Sequence, residues 1–168
     1  LSSHPKDGLE IGRKGKLPQA VLDFITQHHG TGIMGYFYHK AVEEAGDPEK
    51  VKESDFRYPG PKPQSKEVAL VMLADSVEAA VRSMNVSGEK LEAAVKKIIQ
   101  DKLNDGQLED SDLTMRDLKL IAQSFTQVLN GIYHSRIEYP ENVIEAMKKK
   151  GMSEDAADNQ QPAAQDKA

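Results

Sequence analysis

Five histidines and one aspartate are the side chains of this 168-residue sequence whose types and placing point to chemistry. His28 and His29 are adjacent, so on a helical backbone their side chains diverge by about 100° and can address one cation, or two neighbouring ones, from the same side. His4 heads the segment His4-Pro5-Lys6-Asp7-Gly8, and two antiparallel helices would bring the three imidazoles together. Asp75 lies inside the apolar run from Val68 to Val77, where burying an unpaired carboxylate costs several kcal/mol, so a buried Asp75 needs a partner. Imidazole and carboxylate in one set suit a divalent transition metal. Blander roles compete: a His pair at a helix C-terminus suits the helix dipole, and Asp75 could cap a neighbouring helix or pair with Arg82. His39, after the cluster Tyr36-Phe37-Tyr38, is equally a core or a surface histidine.

The elements that must position these residues read as helix almost throughout, because apolar residues recur three and four apart and no long stretch alternates. The expected fold class is all-α. A first helix runs from about Pro5 to Arg13, with Leu9 and Ile11 apolar. Pro18 looks like a first-turn proline of a second helix, which carries Val21, Leu22, Phe24 and Ile25 and ends at the His pair before Gly30-Thr31-Gly32. A third spans roughly Ile33 to Ala45. The stretch from Asp55 to Gln64 holds three prolines and a glycine and predicts an ordered loop. Further helices follow from Lys66 to Met84, from an N-cap at Ser87 to about Leu103, and from Thr114-Met115-Arg116-Asp117 to about Tyr133, and a last short one starts at Pro140. Phe24, Phe37, Met72 and Phe125 read as core, and Lys148-Lys149-Lys150 as a solvated helix end. Beyond Gly151 the tail is too poor in large apolar groups to order itself.

Composition narrows the function classes. A net charge of −5 and 5% aromatics do not fit a basic DNA- or RNA-binding domain. Cysteine is absent, which removes disulfides and thiolate metal sites and leaves nitrogen and oxygen ligands. No apolar run approaches the roughly 20 residues that span a bilayer. The length suits one domain with one modest core.

Several segments together resemble the HD-domain phosphohydrolases, most closely the HD-GYP-like branch and the seven-transmembrane HD-domain phosphodiesterases. They are Ser2-Ser3-His4, Leu17-Pro18-Gln19, Gln27-His28-His29-Gly30-Thr31, Tyr36-Phe37-Tyr38-His39-Lys40, Phe56-Arg57-Tyr58-Pro59-Gly60-Pro61-Lys62-Pro63 and Tyr133-His134-Ser135-Arg136-Ile137-Glu138-Tyr139-Pro140. The resemblance covers about the first 150 residues. It implies an HD-domain-like helical bundle with a two-metal centre, usually iron or manganese, that opens a cyclic dinucleotide; in this branch cyclic di-AMP becomes linear pApA. His4, His28, His29 and Asp75 match ligand positions. Two cations about 3.5–4 Å apart would activate a bridging hydroxide and stabilise charge on the phosphodiester.

The sequence also departs from that family. The His-Asp pair that names an HD domain, and a histidine before it, belong upstream of the segment holding His4, and no His-Asp dipeptide occurs here. Residues 1–150 are therefore expected to be the C-terminal part of an N-terminally truncated HD domain, with 151–168 a disordered tail. The missing helices, membrane-spanning segments and cytoplasmic-face location belong to the parent protein. Alone, the fragment is expected to hold partial or no metal and to turn over little or nothing. On the substrate side Arg57, Lys62 and Arg136 are phosphate candidates and Tyr58 and Tyr133 adenine-stacking candidates. An architectural role for the Arg57-Tyr58-Pro59-Gly60 loop stands beside that reading. The competing function is a non-catalytic helical module that binds a nucleotide or another subunit, and a second copy could cover apolar surface left by absent helices.

Overall fold

Helix-period apolar stripes, closed by turn residues, produce six α-helices in the computed structural model, which describes residues 3–84 and 86–133. They are α1 (His4–Lys14), α2 (Gln19–Gln27), α3 (Gly35–Ala45), α4 (Lys66–Met84), α5 (Gly88–Asn104) and α6 (Met115–Tyr133). Two short 3-10 turns, Pro48–Lys50 and Glu53–Phe56, sit between α3 and α4. No strand occurs among the described residues, and one isolated antiparallel bridge joins Ile33 to Arg57. The all-α expectation holds. The expected helix at Pro140, the lysine run at 148–150, the tail and the boundary at residue 150 lie outside the described residues.

The core is a three-helix packing of α4, α5 and α6. Ala69, Met72, Leu73, Val77 and Val81 of α4 meet Leu91, Val95 and Ile99 of α5 and Leu118, Ala122 and Leu129 of α6. Each fully buried Leu or Met contributes about 1.5–3 kcal/mol by leaving water. Helix α6 opens on a reciprocal capping box: Asp117 N donates to Thr114 Oγ1 at 3.1 Å, and Thr114 N donates to Asp117 Oδ2 at 3.0 Å. That satisfies two backbone donors no helical carbonyl can reach.

Three local expectations need correction. Helix α3 starts at Gly35, because Ile33 pairs with Arg57 and Met34 N donates to Phe56 O at 2.8 Å, so this backbone is committed to the end of the second 3-10 turn and the loop that follows it. Pro18 is the N-cap of α2, with an extended ψ of 149°, one residue before the first turn. Phe37 is exposed and not core, as is Ile11: α3 has no buried residue, and α1 buries only Pro5 and Gly12.

Candidate metal centre

Close approach of α1 and α2 builds the centre. A Cβ on Gly12 would lie 2.7 Å from Leu22 Cδ2, and one on Gly8 would lie 2.9 Å from Ile25 Cγ2, so the helices touch at a distance only glycine permits. Antiparallel packing then brings the N-terminus of α1 against the C-terminus of α2, and His4 meets the His pair.

The three rings converge on one point, where a cation could be shared among them. His4 Nε2 lies 3.3 Å from His28 Nε2 and 3.0 Å from His29 Nε2. One ligand atom from each ring falls within 4.8 Å of the others. A metal–nitrogen bond of about 2.0–2.1 Å, with angles near 90–110°, requires nitrogens about 3.0–3.4 Å apart. The two separations from His4 fall in that range, and the three nitrogens are gathered within 4.8 Å of one another. His28 Nδ1 donates to Phe24 O at 2.9 Å and Ile25 O at 3.0 Å, which puts the proton on Nδ1 and leaves the Nε2 lone pair facing inward. Burial, followed by the nearby His28, lowers the pKa of His29 to about 4, so this ring is neutral at neutral pH, as a ligand must be.

Asp75 stands apart from that convergence. Its Oδ2 is 3.6 Å from His29 Nδ1, on the side of the ring away from His4, and its side chain is 48% exposed. The expectation of a buried Asp75 is wrong: α4 buries a single stripe, and Leu70 and Val71 of the same apolar run are also 40% exposed. Arg82 is not its partner either, pairing with Glu78 at 3.3 Å.

A hydrogen-bonded loop holds the His pair from behind. Gln107, 1% exposed, accepts from Thr31 N at 2.9 Å and donates to Thr31 Oγ1 and Asp105 Oδ2, both at 3.0 Å. Gly30 turns with φ +55°, and a Cβ there would fall 2.4 Å from Gln107 Oε1, so no other residue fits. Opposite, Tyr58 N donates to Gly32 O at 3.0 Å, and the Tyr58 ring stacks on His29 with centroids 4.3 Å apart and a 20° tilt. Burial, then the Asp75 charge, raises the Tyr58 pKa, keeping its hydroxyl protonated.

The other substrate candidates are placed differently. Arg57 donates to Asp105, Glu53 and Thr31 O, with separations between 2.6 and 3.2 Å that engage all its N–H groups. Lys62 donates to Glu109 at 2.9 Å. Tyr133 is the last residue of α6, and Arg136 and His134 lie outside the described residues. His39 is exposed on α3.

Sequence reasoning missed two residues. Gln107 carried no signal, since a glutamine in a turn is ordinarily solvated. Lys102 did carry one: it continues the stripe Leu91, Val95 and Ile99 of α5, whereas Lys96 and Lys97 pair outward with Glu92 and Asp101. Its Nζ lies against Gly32, 3.0 Å from where a Cβ would stand. Burial lowers its pKa, while the charges of Asp105 and then Asp75 raise it.

Comparison with known proteins gives this geometry a context. No protein-family model matches the chain. It is 53% identical over 142 residues to the cyclic-di-AMP phosphodiesterase PgpH of Bacillus subtilis and 47% identical over 143 residues to that of Listeria monocytogenes. Each match covers 84% of the chain and 20% of the relative, so the chain spans about a fifth of the curated relatives' length. Among solved structures, the L. monocytogenes PgpH HD domain in complex with cyclic-di-AMP superposes with a TM-score of 0.70 at 46% identity, covering 79% of this chain and 61% of that one. Among the described residues, no helix is long and apolar enough to cross a membrane.

Proposed function

From the premise that the chain belongs to the HD-domain family of these relatives, we propose that it is the distal part of the catalytic module of a metal-dependent cyclic di-AMP phosphodiesterase. The observation that carries this reading is the convergence of imidazole nitrogens from His4, His28 and His29, which lie within 4.8 Å of one another. Asp75 is the fourth proposed ligand. We assign the remaining ligands of a two-metal iron or manganese centre to a His-Asp pair and a further histidine outside these 168 residues, since the chain accounts for 61% of the solved HD domain and contains no His-Asp dipeptide. The same reading puts the parent protein at the cytoplasmic face of a membrane.

When bound, such metals supply a hydroxide at neutral pH and stabilise negative charge on the phosphoryl group. The reaction they would serve is hydrolysis: water oxygen forms a bond to phosphorus, one P–O bond to a ribose breaks, and the ring opens to a linear dinucleotide. This chain's own residues orient that chemistry. The carbonyls of Phe24 and Ile25 fix the His28 tautomer, the Tyr58 ring holds the plane of His29, and Gln107 pins the loop between them. One face of Tyr58 is occupied by His29, so an adenine could stack only on the other. The clamped guanidinium of Arg57 favours the architectural role.

The complete protein, extended upstream to the His-Asp pair and loaded with manganese, is expected to convert cyclic di-AMP to linear pApA. His28→Ala should abolish turnover and lower the bound metal while leaving the helical circular dichroism intact. Absence of turnover with every cyclic dinucleotide would overturn the proposal.

A further inference from the structure

We propose that Lys102 is a substrate-binding residue, donating its ammonium to the phosphodiester oxygens of the dinucleotide held at the histidine site. This rests on the functional reading above and adds to it a group not named among the sequence-derived candidates.

Four observations lead there. The Lys102 stem lies in the buried stripe of α5, which aims its Nζ inward, at the backbone of Gly32 in the loop that carries His28 and His29. A Cβ on Gly32 would stand 3.0 Å from Lys102 Nζ and 3.1 Å from His29 O, so the ammonium lies beside the backbone of the histidine loop, where its charge acts on His29, Asp75 and Asp105. Neither neighbouring acid takes it up. Asp105 spends both oxygens on Arg57 and Gln107, and Asp75 Oδ2 faces His29 Nδ1 at 3.6 Å. Among the described residues, no hydrogen bond or ion pair involves the Lys102 ammonium. A half-buried ammonium has three donors and no acceptor, and leaving them unmade is costly. An anionic ligand would satisfy them, and a cyclic dinucleotide carries two phosphodiester charges.

The bland alternative is a cation kept only to offset Asp75 and Asp105 and to favour the C-terminus of α5. The two roles predict different outcomes. In the complete metal-loaded protein, Lys102→Met and Lys102→Gln keep the stem and remove the charge, and Lys102→Arg keeps the charge. If Lys102 binds phosphate, calorimetric Kd for linear pApA and KM for cyclic di-AMP should each rise about tenfold in the two neutral variants. Lys102→Arg should recover most of that loss. Metal content by elemental analysis and the melting temperature should stay at wild-type values. Unchanged Kd and KM in folded, metal-replete Lys102→Met and Lys102→Gln would overturn the assignment, as would a loss of metal that accounts for the weaker binding. If the wild-type protein neither binds pApA nor opens cyclic di-AMP, the functional reading falls and this inference falls with it. A normal wild type beside indifferent variants removes Lys102 alone.

Discussion

The α4–α6 bundle and the α1–α2 pair with its adjoining loop hold themselves together by different means. In the bundle, Met72, Leu73, Leu91 and Val95 are fully buried and hydrophobic transfer dominates. In α1 and α2 the buried hydrophobic side chain among the described residues is Leu22, and the histidines are positioned by glycine contacts, backbone carbonyls and the buried side chain of Gln107. The first kind of region tolerates approximate shape and sets stability. The second demands placement within a fraction of an ångström and sets function.

Substituting within each region should separate the two. Leu73→Ala, at a site with no exposure, is expected to cost about 2–5 kcal/mol, read as a lower urea midpoint. Metal bound per folded molecule should not change, and if metal affinity fell in step with stability the two regions would not be separable. Gln107→Leu should affect both, and metal affinity most. It leaves Thr31 N without its acceptor, costing about 1–3 kcal/mol, and by loosening the loop that bears His29 it should weaken metal binding about 10–100-fold, measured by competition with a chromogenic chelator. Equal metal affinity in Gln107→Leu would show that the loop is held by something else.

The smallest effect lies at the capping box of α6. Hydrogen bonds from the Thr114 backbone, its hydroxyl and Lys66 hold the Asp117 carboxyl at a pKa of about 2, below its ordinary 3.8. The folded value is the lower one, so the unfolded chain binds the proton first as pH falls. This contribution is complete above about pH 4 and is lost as pH drops through 2. Asp117→Asn should therefore show a flatter urea-midpoint profile between pH 4 and 2 in metal-free protein, with no change in metal content at neutral pH. An identical profile would place the acid sensitivity elsewhere.

Read from residues, the bundle was largely legible. The stripes of α4, α5 and α6 specify helices, and the Thr114-to-Asp117 spacing specifies where α6 begins, because both are local consequences of the helical period and its unpaired termini. The three histidines were legible as a set, since a helix-heading His and a helix-ending His-His pair can meet only if two helices run antiparallel. Asp75 was misread, because an unbroken apolar run does not say which of its faces a neighbour covers. The start of α3 was misread because its competitor, Phe56 O, is far away in sequence.

What the sequence determined by itself was the helical class, the stripes that build the core, and the residue types able to hold a cation. What only the tertiary structure decided was that Gly8 and Gly12 let α1 touch α2, that Gln107 reaches back to Thr31, and that Lys102 turns inward toward the histidine loop. Those relations join residues far apart along the chain, and no local period or propensity encodes a contact whose partner is chosen by packing.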